Sequence, residues 1–126
     1  MTVRCEYKSN GVIVWHSGVI TDEMLLIANK ELYAHEYKEG LQFQLLELTD
    51  VQEFNVSSVT MAQLAEMDRK INKGKKVFAC VVAPDDLMFG LSRMWDIQAG
   101  GDDLDTMVVR TINDAIAWFA SKGIRL

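Results

Sequence analysis

The stretch FNVSSVT (residues 54–60) places two adjacent hydroxyls, Ser57 and Ser58, between an apolar strand-like run and a helix-like one. Two chemistries fit a serine there. Its oxygen can cap the helix by accepting from an orphan amide, or it can take a phosphate, which a helix N-terminus tolerates electrostatically. A second candidate is Asp68. At 3.6 residues per turn it falls inside the apolar face formed by Met61, Leu64, Met67 and Ile71. The first reading is an Asp at the edge of the face that reaches solvent; the second is a half-buried carboxylate, which needs a partner, with Arg93 on the following helix as the one available.

Other reactive types are scattered. His16 lies in an alternating strand and His35 on a helix, and neither has a Cys, a second His or an Asp at metal-ligand spacing. The tetrad GGDD (residues 100–103) reads as a glycine C-cap followed by a solvated acidic loop. A divalent cation at Asp102, Asp103 and Asp105 would lack the Gly and terminal Glu of a calcium loop. GxxxxGK[ST], GxGxxG and GxSxG are all missing. Cys5 and Cys80 stand far apart in apolar runs, which reads as buried reduced thiols. No catalytic constellation, metal site or cofactor is expected.

The elements that must position these groups follow from periodicity. VRCEYK and VIVWHS flank Asn10-Gly11, a hairpin signal in which both turn residues tolerate the positive φ of a primed turn. Thr21 caps a helix that runs to about Lys38 and Gly40. Phe43–Leu48 reads as a strand and TDVQEF as loop; Ser57 or Ser58 then opens a helix that Gly74 closes. Lys76–Ala83 is apolar almost throughout, as in a strand buried on both faces. Asp85-Asp86 start a third helix, Asp105–Arg110 is a fifth strand, and Thr111 with Asp114 has capping-box spacing before the last helix.

The order β-β-α-β-α-β-α-β-α defines an α/β fold with a mixed sheet of about five strands, an N-terminal hairpin followed by βαβαβα, and about four helices. The 126 residues make one domain, 1–126. A net charge of −5 argues against a nucleic-acid surface, and the basic run KINKGKK suits a solvated helix end. The apolar stretch VFACVVA is too short to span a bilayer. With no signal-like N-terminus, a cytoplasmic protein is expected.

The third helix carries more apolar side chains than one stripe needs. Leu87, Met88, Leu91, Met94 and Trp95 form one face, with Phe89 pointing away and Ile97 to the side. Trp118 is off the stripe of Ile112, Ala115, Ile116 and Phe119. A well-packed core accounts for most of this excess; the remainder fits a ligand pocket, a dimer surface or a lid over the core.

LLELTDVQEFNVSSVTMAQLAEMDRKINKGKKVFACVV, in this order of elements, resembles the STAS or anti-sigma-factor-antagonist family. FGLSRMWDIQAG and VVRTINDAIAWFA sharpen the likeness to small bacterial SpoIIAA-like proteins, also labelled STAS/SEC14-like, of unassigned function; Gly90, Arg93, Met94, Trp95, Ala115 and Trp118 carry it. The resemblance implies a SpoIIAA-like sheet. It places the antagonists' phosphorylated serine at Ser57, with Val56 and Val59 where that switch has Asp and Gly, so a retained cap is expected at this turn.

The expected function is a non-enzymatic binding or regulatory module that docks a protein partner, or itself, through the helices after the third and fourth strands. The alternative is a small carrier or sensor of an apolar ligand, a lipid or fatty acid on the SEC14-like side of the resemblance, using Met88, Phe89, Arg93, Trp95 and Trp118 and a cavity of several hundred Å³. An enzyme ranks third.

Overall fold

A computed structural model describes residues 2–126. The elements are β1 (Val3–Tyr7), β2 (Gly11–Thr21), α1 (Asp22–Ala34), β3 (Phe43–Asn55), α2 (Ser58–Ile71), β4 (Val77–Val82), α3 (Asp86–Ala99), β5 (Leu104–Val109) and α4 (Ile112–Ser121). They build the expected α/β fold, a five-stranded mixed sheet in the order β1-β2-β3-β4-β5, antiparallel between β1 and β2 and parallel elsewhere.

Strand order equal to chain order has a geometric consequence. Right-handed crossovers that all step the same way leave their helices on one face of the sheet. Accordingly Leu25 of α1, Leu64 and Ala65 of α2 and Trp95 of α3 share one core with Ala79 and Val81. The opposite face is covered by α4, whose Ala115 and Phe119 pack on Phe43, Leu45, Cys80 and Val82. Strand β4 is therefore buried on both faces, as its unbroken apolar run requires.

Each helix starts where a short polar side chain accepts from an amide three residues on: Thr21 from Met24, Ser57 from Thr60, Asp85 from Met88 and Thr111 from Asp114. All four starts follow the C-terminal ends of parallel strands.

Four expectations about local structure are corrected. Helix α1 ends at Ala34, not near Lys38 and Gly40, so His35 is its C-cap and not part of the helix. The β1–β2 connection spans Lys8 to Gly11, closed by the Lys8 N–H donating to the Gly11 carbonyl at 2.8 Å, and neither Asn10 nor Gly11 has positive φ. Gly11 is instead a place of close approach. A Cβ there would lie 2.6 Å from Phe43 Cγ and nearer still to Cδ1 and Cε1, so the ring occupies the space a side chain would need. Strand β2 does not end at Ser17; it runs on through irregular register at Gly18, whose φ of 70° only glycine adopts readily. The stretch TDVQEF is not loop but the outer half of β3, paired to β2 as far as Thr21↔Asn55. Its polar side chains suit a two-stranded extension that projects beyond β4 and stays half in solvent.

Candidate functional site

The serine pair resolves first. Ser57 Oγ accepts from the Thr60 amide at 3.2 Å, while Ser57 N–H donates to Asp22 Oδ1 at 2.8 Å and the hydroxyl lies 3.4 Å from Asp22 Oδ2. Ser58 is simply the first residue of α2. A phosphate on Ser57 would face the Asp22 carboxylate, a like-charge contact at the place where a switch needs cations. Val56 is buried in the core and Val59 stands exposed. Ser57→Ala should cost about 1 kcal/mol, the usual worth of such a cap, read as a lower urea midpoint with unchanged slope; an unchanged midpoint would mean that Ser57 does not hold the helix start.

Asp68 is buried, 4% exposed, but Arg93 is not its partner. Arg93 is exposed and pairs with Asp96 one turn along α3. Asp68 Oδ2 accepts from Trp95 Nε1–H at 2.7 Å, and Oδ1 from the Tyr33 hydroxyl at 3.0 Å. The Tyr33 oxygen in turn accepts from Gln44 Nε2 (3.0 Å) and Asn72 Nδ2 (2.9 Å). Three helices and β3 are thus tied through one carboxylate. Burial pushes the Asp68 pKa up, opposed by the donors gathered around it. Burial and the neighbouring Asp68 raise the Tyr33 pKa, so its hydroxyl keeps the proton it donates.

Beside this network lies an internal cavity of about 50 Å³ between the sheet and α1, α2 and α3. Its walls are mostly aliphatic and aromatic; the polar groups on them are His16, Asn29, Asp68, Ser92 and the Trp95 indole. His16 Nδ1 meets the Glu47 carbonyl at 3.2 Å, and burial lowers its pKa and keeps the ring neutral. Asn29 faces the same carboxylate as Tyr33 and Trp95 and is one of the donors that oppose its pKa rise, but its Nδ2, in a side chain only 6% exposed, makes no close hydrogen bond. A volume of this size holds a molecule of about four heavy atoms, not an acyl chain.

The five residues proposed as one surface are divided. Trp95 is on the cavity wall and Met88 is buried in the same core. Phe89 is half-buried with the Arg110 guanidinium 4.0 Å above its ring. Trp118 sits on the opposite side of the sheet, edge-on to Phe78 and Phe119. The buried stripe of α3 is Met88, Ser92, Trp95 and Ala99, not the face that includes Leu87 and Met94. Leu87 (62% exposed), Met94 (37%) and Ile97 (71%) point outward, and a Cβ on Gly90, between them, would meet open space. Ile116 of α4 is likewise exposed.

The remaining candidates have structural partners. His35 stacks on Tyr7 at 3.8 Å between ring centroids. Asp103 accepts from the Gly74 amide and Asp105 pairs with Lys122. Among the described residues no cluster of His, Cys, Asp or Glu could hold a metal ion, and no helix is long and apolar enough to cross a membrane. Cys5 and Cys80 are free thiols.

Fold and site together define an α/β domain with a saturated buried carboxylate, a small apolar cavity and one uncharged helix face. No protein-family model, curated protein or solved structure matches the chain.

Proposed function

We propose that this chain is a non-enzymatic, cytoplasmic docking module that pairs with a second copy of itself through the outward face of α3. The observation that carries this is the stripe Leu87, Gly90, Met94, Ile97, spaced as one helix face and free of charge. The outward faces of the other two helices on that side carry charge instead, Glu23 and Lys30 on α1 and Glu66 and Lys70 on α2. The stripe is self-complementary about a two-fold axis. In an antiparallel pair Leu87 meets the partner's Ile97 and Gly90 meets the partner's Met94, both contacts sharing a midpoint at Ser92, so that methionine fills the space glycine leaves. The flanking charges are already neutralised, Arg93 by Asp96 and Asp86 by Arg110. Two copies that each carry a net charge of −5 therefore touch without bringing unpaired carboxylates together.

The same reading takes the chain as SpoIIAA-like, on the pattern of Gly90, Arg93, Met94 and Trp95. It treats the polar groups around Asp68 as structural because nearly all their hydrogen-bonding capacity is spent on one another.

A contact built on one helix gives a weak, concentration-dependent dimer. Sedimentation over a concentration series should show monomer passing to dimer, and Ile97→Lys should leave a folded monomer throughout. The Leu87→Cys/Ile97→Cys variant should oxidise to an intermolecular disulfide. A wild-type chain that stays monomeric up to millimolar concentration would overturn the reading.

A further inference from the structure

The hydrogen-bonding capacity around the cavity beside Asp68 is unevenly spent. The two Asp68 oxygens already accept from Trp95 and Tyr33, and the His16 ring is held by the Glu47 carbonyl. Besides the Ser92 hydroxyl, what remains is a donor, the Asn29 Nδ2, buried on the cavity wall near the Asp68 carboxylate but without a close hydrogen bond. Leaving such a group unpaired costs about 1–3 kcal/mol, and a leucine of nearly the same shape would avoid that cost. An amide in that position calls for an acceptor. The acceptor's charge follows from its neighbour, because an anion placed beside the Asp68 carboxylate would add like-charge repulsion in a site with little water to screen it. Its body follows from the walls, which are otherwise apolar, and its size from the volume of about 50 Å³.

We propose that this cavity is a binding site for a small, neutral, mostly apolar molecule of about four heavy atoms, whose single carbonyl or hydroxyl oxygen accepts a hydrogen bond from Asn29. The Trp95 indole forms part of the same wall, so occupancy is felt at the Trp95–Asp68 hydrogen bond. The site is independent of the outward face of α3.

Acetone and isobutene test this as a matched pair, since they share shape and differ in having an oxygen or a methylene. Each is titrated into the full chain while the Trp95 indole N–H is followed by proton–nitrogen NMR, its signal assigned by loss in Trp95→Phe. Both probes should move that signal saturably. In Asn29→Leu the affinity for acetone relative to isobutene should fall about tenfold, the worth of one hydrogen bond. In the wild-type protein the carbonyl carbon of bound acetone should shift downfield, a readout that needs no variant. Unchanged relative affinities together with an unshifted carbonyl would overturn the role of Asn29. A Trp95 signal that responds to neither probe would overturn the site itself.

Discussion

Asp68→Leu is expected to cost the domain about 3–5 kcal/mol, because it orphans two buried donors at once. The Trp95 indole N–H has no other acceptor in the network. The Tyr33 hydroxyl cannot turn to satisfy itself either, since its oxygen already accepts from Gln44 and Asn72 and its proton has only Asp68 to meet. Against a total stability of about 5–15 kcal/mol, such a loss is large, and urea unfolding would show it as a fall in midpoint. Asp68→Asn keeps one acceptor but turns an amide toward Tyr33, and should cost less. The isosteric variant also separates charge from shape. Burial raises the folded-state pKa of Asp68 above its unfolded value, so between those two values the folded chain binds more protons than the unfolded one. Stability then falls as pH rises through that window, and the full cost of ionising the buried group persists above it. The stability of wild type relative to Asp68→Asn should therefore decline with rising pH from about 4 upward, the unfolded value. A difference that stays flat from acid to neutral pH would overturn the assignment of a buried, titrating carboxylate.

Gly11→Ala is the second severe change, with an expected loss of about 3 kcal/mol, at the upper end for overpacking. Carbon atoms rest about 3.5–4.0 Å apart, and the added methyl would sit far inside that distance from the Phe43 ring. The ring has nowhere to retreat: it is 1% exposed and lies edge-on to Phe119, 5.7 Å between centroids. Reducing the ring should therefore rescue the methyl, so Phe43→Leu in the Gly11→Ala background should recover part of the stability that Gly11→Ala loses. If the two substitutions instead add their separate costs, Gly11 is not held by contact with Phe43.

What the sequence disclosed follows the range of the interaction responsible. Thr21, Ser57, Asp85 and Thr111 were legible as helix starts because a cap involves only the next three residues. The burial of β4 was legible because VFACVV has no polar side to turn outward. The outer half of β3 was not, since Thr49, Asp50, Gln52 and Glu53 have turn-like chemistry and pair only because β2 extends beside them. The face of α3 was misread for a related reason. Apolar residues occur all round that helix, and the small Ser92 and Ala99 mark the buried side where larger residues drew attention. Period placed Asp68 within the apolar face and left it either at the edge reaching solvent or half of an ion pair, and the structure has neither. Charge suggested Arg93, whereas the fold supplied Trp95, two residues further along the same helix and facing inward, and Tyr33 from a helix that only the topology brings near. Asn29 gave no signal at all, because an asparagine within a helix pattern is ordinary until the cavity beside it is known.

The strand order has a consequence for how the chain is made. From β2 onward each strand lies next to the one synthesised just before it. A nascent chain emerging from its N-terminus therefore adds every new strand at a single growing edge, and none has to be threaded between two already joined. Helix α4, which follows β5 in the chain, closes the uncovered side of the sheet, so Phe43, Cys80 and Val82 are sealed from water only after all five strands have been made.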